Sequence, residues 1–202
     1  MSDFINEMVG AILQVLLFAV VPFIWWLITA RKKENFFKWI GLKKITHEGN
    51  ALVTVLLSVA VFLIYGCATT FLTKAFSGDI TSAGSNFAGK GLSYIPEALV
   101  YGFIRTGLSE EILFRGFLLK RFANKFGFIP GNIIQAILFG LMHGLPFGLA
   151  SGKILVAVLL TLLPGAIGFY MGWINEKKCG GSIVPSWLMH GITNTLVTCL
   201  SL

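Results

Sequence analysis

Charge is scarce in this chain. Only 12% of its 202 residues are Asp, Glu, Lys or Arg, against roughly 25% in an ordinary soluble domain. With 55% hydrophobic residues and a mean hydropathy of +0.80, a water-soluble globular domain is excluded. Cysteine is nearly absent as well. Cys67, Cys179 and Cys199 are scattered, so neither a disulfide framework nor a CxxC site is indicated. Acidic residues number 9 against 16 basic ones, a net charge of +7. The basic residues flank hydrophobic ends, a pattern that fits an anionic leaflet and excludes a nucleic-acid footprint. What the sequence has in abundance is long apolar runs, near the ~20 residues a spanning helix needs and too continuous for barrel strands. The expected fold is all-α, a polytopic transmembrane helical bundle forming a single membrane domain.

Six spans are expected, at about Met8 to Ala30, Ala51 to Leu72, Ser93 to Phe117, Pro130 to Phe147, Ile154 to Asn175 and Ser182 to Leu202. With the N-terminus outside, the cytoplasmic loops hold Arg31, Lys32, Lys33, Lys38, Lys43, Lys44, Lys120, Arg121, Lys125, Lys177 and Lys178, and the outer loops only Lys74, Lys90 and Lys153. The positive-inside rule therefore puts both termini outside a cell membrane crossed several times. Asp3 and Glu7 precede a long apolar run followed at once by Arg31-Lys32-Lys33, which reads as an uncleaved anchor and not a secretory signal. In "ENFFKWIGLKKI", Phe36, Phe37, Trp39, Ile40 and Ile45 alternate with lysines, the pattern of an amphipathic helix lying in the interface as a membrane-surface anchor. Thr73 to Lys90, rich in Gly, Ser and Ala, reads as a flexible outer connector.

The third span contains "SEEILFRGF", three ionisable side chains in an otherwise apolar stretch. Glu111 and Arg115 are four apart and share a helical face, so they can form an ion pair. Glu110 is rotated by about 100° and has Phe114 four residues on, so it faces something else. Solvated charges at the interface are the plain alternative, but ionisable residues within a span usually mark function. Of the three histidines, His47 lies in a basic loop, where a surface role is expected. His143 in "FGLMHGLPF" and His190 in "SWLMHGITN" lie within apolar spans, each followed by a glycine that permits close approach of a backbone or a substrate. Phe139 and His143 are four apart, as are His190 and Asn194. Convergence of Glu110 with the mid-span His190 and Asn194 requires the third helix to tilt or to continue to about Phe122.

Such a set suits hydrolysis. A carboxylate in a low-dielectric cavity can serve as base for water, Glu110 helped by His143, while His190 and Asn194 donate hydrogen bonds to a developing oxyanion. No serine or cysteine nucleophile elbow is present, since Ser109 and Ser186 lack a GxSxG context.

The set Glu110-Glu111-xxx-Arg115, Phe139-xxx-His143 and His190-xxx-Asn194 resembles the three motifs of the CAAX prenyl endopeptidase and bacterial Abi family, the CPBP intramembrane proteases, in residue type, order and spacing. The motif-bearing core is then 91–202, with 1–90 supplying N-terminal spans and loops outside the motifs. The resemblance implies a membrane endopeptidase in which Glu110 and His143 activate water and His190 and Asn194 stabilise the oxyanion, with Glu111, Arg115 and Phe139 in support. The family has been described both as metalloprotease and as glutamate protease. Without an HExxH helix, no cofactor is expected, although one glutamate and two histidines could hold zinc. Eukaryotic relatives cut prenylated tails, and bacterial members are associated with peptide maturation, bacteriocin self-immunity and regulation of surface proteins. The expected substrate is a peptide or membrane-protein segment, lipidated or not, cut near the cytoplasmic half of the bilayer.

Two rival classes also fit a buried polar core. A non-catalytic immunity or regulatory partner would keep the polar core for helix packing and tolerate Glu110→Gln. A transporter would use the buried charges as an ion pathway, but no inverted repeat or paired Gly-Pro interruption is visible.

Overall fold

The computed structural model describes residues 2–76 and 86–202, and among these every regular element is helical. In chain order they are α1 (Ser2–Thr29), α2 (Phe36–Trp39), α3 (Ala51–Ala75), a 3-10 turn (Leu92–Tyr94), α4 (Ile95–Leu99), the π-helical segment π1 (Val100–Leu108), α5 (Ser109–Glu111), π2 (Ile112–Leu119), α6 (Lys120–Phe126), α7 (Phe128–Ser151), α8 (Ile154–Lys178) and α9 (Val184–Cys199).

Among the described residues four helices are long and apolar enough to cross a bilayer: Asp3–Thr29, Ala51–Thr69, Phe128–Ala150 and Ile154–Lys178. They correspond to the first, second, fourth and fifth expected spans. The other two are helical but built differently. α9 has 16 residues, and the third is a succession of short α and π segments carrying Arg105, Glu110, Glu111 and Arg115. Those segments are contiguous from Ile95 to Phe126, so the helix does continue past Phe122.

Local chemistry sets the boundaries. Asn50 caps α3 by accepting a hydrogen bond from the Val53 N–H, and Asn35 caps α2 by accepting one from Lys38 N–H at 2.9 Å. Between α6 and α7 the chain turns at Gly127, whose φ of 87° is open to glycine and strained for any other residue. The basic stretch after α1 shortens to the single turn α2. Phe37 remains exposed, while Trp39 and Ile40 are buried. Of the outer connector expected over Thr73 to Lys90, residues 77–85 lie outside the described residues. After it, Gly89 N–H donates to Ser201 C=O at 3.0 Å. All three cysteines are free.

Contacts divide the chain into two compact units. The first comprises Met1–Ile45, Ser82–Phe117 and Gly181–Leu202, and the second Thr46–Thr81 and Leu118–Gly180. In the first unit α1 packs on α4, π1 and α5, the last of which carries the two glutamates. In that first unit π1 also packs on α9. A Cβ added to Gly102 would meet Thr195 and the Gly191 C=O, and one added to Gly191 would meet the Phe103 ring. The glycine after His190 thus serves close helix packing. The loop after α2 is tied to the start of α9 by Ile183 N–H to Gly41 C=O (2.8 Å) and Ser182 Oγ to Lys43 C=O (2.8 Å).

In the second unit α7 and α8 pack antiparallel. Gly140, Gly144 and Gly148 recur every four residues, and Cβ atoms there would meet Thr161, Ala157 with Thr161, and Ala157. The glycine after His143 is therefore one of three that bring the two backbones together. A buried amide pair locks the register: Asn132 Nδ2 donates to Phe169 C=O (2.9 Å), and Gln135 Nε2 to Gly168 C=O (3.1 Å) and Asn132 Oδ1 (2.8 Å).

Candidate active site

The buried ionisable groups of the first unit, Glu110, Glu111, Arg115 and His190, gather where α5 and π2 meet α9. Glu111 and Arg115 are both without solvent exposure, and Arg115 Nη1 donates to Glu111 Oε1 at 2.9 Å. That is the ion pair expected from their spacing. Glu111 Oε2 accepts from the Ser186 hydroxyl. This hydroxyl also lies 3.0 Å from the Ile183 C=O. It has one hydrogen, and the bond to the carboxylate is the stronger use of it because it is charge-assisted.

His190 stands between the two glutamates. Its Nδ1 is 3.1 Å from Glu111 Oε1, and its Nε2 is 3.6 Å from Glu110 Oε2. A carboxylate held by a guanidinium and a hydroxyl can only accept, so Nδ1 carries a proton and the ring orientation is fixed by Glu111. Both oxygens of Glu111 are therefore engaged by donors, whereas Glu110, 7% exposed, meets the other edge of the imidazole.

Asn194, one turn beyond His190, is half-buried and donates through Nδ2 to Thr106 Oγ1 at 2.8 Å. The Thr106 hydroxyl passes its own hydrogen to the Tyr101 C=O, 2.9 Å away. This contact is five residues back along the chain, a consequence of the wider π turn. α9 is further held to π1 by Trp187 Nε1, which donates to Phe103 C=O at 2.6 Å. On the other side of π1, Arg105 pairs with Glu7 of α1 at 3.0 Å, and Gln14 reaches Arg105 Nε at 3.4 Å and Ser109 Oγ at 3.5 Å.

Phe139 and His143 belong to the second unit. Their rings are 4.6 Å apart between centroids, the packing expected from their spacing. His143 Nδ1 lies 2.8 Å from the Phe139 C=O. A carbonyl only accepts, so Nδ1 is protonated and Nε2 carries the lone pair in the neutral ring.

Glu110, Glu111, Arg115 and His190 are thus brought together in one unit, with Asn194 on the next turn. Ser186 and Thr106 are additions that sequence reading did not assign to the site. A signal for both existed: Ser186 stands four residues before His190 and Thr106 four before Glu110, so Ser186, His190 and Asn194 form one ladder on α9. Zinc takes three or four protein ligands. With Glu111 committed to three donors, this unit offers Glu110 and His190 Nε2, and among the described residues no group of three or more His, Cys, Asp or Glu is arranged to hold a metal ion.

Comparison with known proteins gives one match. Residues 92–196 fit the family model described as type II CAAX prenyl endopeptidase Rce1-like. No curated protein and no solved structure matches the chain. The matched stretch is 105 of 202 residues and contains the paired glutamates with Arg115, Phe139 with His143, and His190 with Asn194, and the chain therefore belongs to the type II CAAX prenyl endopeptidase Rce1-like family.

Proposed function

We propose that this chain is an intramembrane endopeptidase that hydrolyses a peptide bond with water activated by Glu110. The observation that carries the reading is the different environment of the two adjacent carboxylates. Glu111 is saturated by Arg115, Ser186 and His190, and Glu110 faces the outer edge of His190. One is a fixed anion that orients the imidazole, and the other is the base.

In the reaction Glu110 takes a proton from water as the water oxygen adds to the carbonyl carbon. The family pattern assigns His143 to the same water, as an acceptor through Nε2. The carbonyl oxygen becomes an oxyanion and receives the Nε2–H of imidazolium His190 and the second amide hydrogen of Asn194. When the C–N bond breaks, the proton held by Glu110 passes to the leaving amine. General-base catalysis of this kind contributes about 10²–10⁴-fold, and each oxyanion donor about 10²–10³-fold.

The substrate class is a peptide or membrane-protein segment, lipidated or not, reached from the cytoplasmic half of a cell membrane, with both termini of the chain outside as the lysine distribution supports. The bacterial Abi type of activity is the finer assignment. The test is proteolysis by purified protein in liposomes against lipidated and unlipidated peptides, with Glu110→Ala and His143→Ala and with and without a strong chelator. Cleavage that disappears in both variants and survives the chelator supports the mechanism. Cleavage lost to chelator and restored by zinc overturns it. If nothing is cut and both variants keep the cellular role, the chain is a non-catalytic immunity or regulatory partner.

A further inference from the structure

A second polar feature lies within the second unit. An open cleft of about 540 Å³ is lined by Phe128, Ile129, Pro130, Trp173, Lys177 and Lys178. It sits at the start of α7 and the end of α8. Because these helices pack antiparallel and both are long and apolar enough to cross the bilayer, the cleft lies at a membrane interface.

Its charge is positive and uncompensated. Lys177 Nζ rests 4.7 Å above the Phe128 ring and Lys178 Nζ 5.3 Å above the Trp173 ring. Among the described residues neither ammonium has a hydrogen-bond or ion-pair partner. Glu176, the one acidic residue of α8, is held by Lys120 at 2.5 Å, and Glu48 approaches through its backbone N–H, which donates to Lys178 C=O at 2.8 Å. The aromatic faces orient the two ammoniums while leaving their N–H groups to an anion. The first turn of α7 has no side-chain cap, which adds backbone donors on the same side. From the cleft an exposed apolar track runs along α7 through Ile129, Ile133 and Ile137, each four residues from the next.

The geometry points to a binding site for an anionic phospholipid. The phosphodiester sits between Lys177 and Lys178, Trp173 and Phe128 wall the glycerol region, and an acyl chain follows the isoleucine track. The track is what selects a lipid over a free phosphate, since it begins in the cleft and continues along a membrane-spanning helix. This site is independent of the proposed hydrolysis.

The test is native mass spectrometry of the full-length protein released from nanodiscs containing phosphatidylcholine and phosphatidylglycerol in equal amounts. Wild type retains phosphatidylglycerol preferentially. A juxtamembrane lysine is worth about fivefold, so Lys177→Ala with Lys178→Ala lowers that preference by about twenty-five-fold. Lys177→Arg with Lys178→Arg keeps it, which separates loss of the site from loss of the fold. Lys32→Ala with Lys33→Ala, removing equal charge from elsewhere, lowers it by clearly less. The inference is overturned if the double alanine variant retains phosphatidylglycerol as wild type does, or if the Lys32 and Lys33 control loses as much. Displacement by soluble glycerol phosphate as effective as by the lipid also overturns it, because the site then reads only the phosphate.

Discussion

Replacing Arg115 by Met tests whether the buried ion pair holds the site together. Arg115 and Glu111 are both without solvent exposure at 2.9 Å. Removing the guanidinium leaves a buried carboxylate with only Ser186 and His190 as donors. Breaking a buried pair from one side costs about 3–5 kcal/mol. At about 2–4 °C per kcal/mol for a chain of this length, the midpoint falls by about 6–20 °C, and the two remaining donors place it in the lower half of that range. Adding Glu111→Gln removes the stranded charge at similar volume, so the double variant should recover most of the loss, and the difference measures the coupling. Thermal unfolding of the detergent-solubilised protein followed by tryptophan fluorescence reads all three. A midpoint for Arg115→Met within about 2 °C of wild type, less than 1 kcal/mol by the same conversion, refutes the reasoning. A double variant as unstable as the single one does so equally.

Two further outcomes follow from the helix contacts. Thr106→Val removes the acceptor that orients the Asn194 amide while keeping its volume, and should lower kcat/KM about tenfold, less than the 10²–10³-fold for deleting an oxyanion donor outright, with the midpoint changed little. Gly102→Ala forces a methyl against Thr195 and the Gly191 backbone, and should destabilise by about 1–3 kcal/mol, read as a lower midpoint in the same assay.

Much of the site was legible because helical spacing is a local property. Four-residue separations announced Glu111 with Arg115, Phe139 with His143, and His190 with Asn194, and an apolar background made each polar residue conspicuous. The insertion of His190 between the two glutamates was not legible, since it depends on how α9 packs on π1 through Gly102, Gly191 and Trp187. The π segments were hidden for a different reason. A wider turn adds a residue without altering which residues are apolar, so periodicity carries no mark of it. The stretch around Phe36 to Ile45 read as an interfacial helix from its alternation alone. Alternation cannot say that Trp39 and Ile40 pack inward, Trp39 with its ring 6.0 Å from that of Phe117.

The division of labour between two adjacent carboxylates is the central claim, and Glu110→Gln beside Glu111→Gln tests it most directly. Both variants are measured for peptide cleavage in liposomes and for thermal midpoint. The account predicts that Glu110→Gln loses turnover by about 10²–10⁴-fold, the contribution of a general base, at an unchanged midpoint. Glu111→Gln, by contrast, lowers the midpoint because the buried Arg115 loses its counter-charge. Full cleavage by Glu110→Gln, or a stability loss confined to that variant, contradicts it.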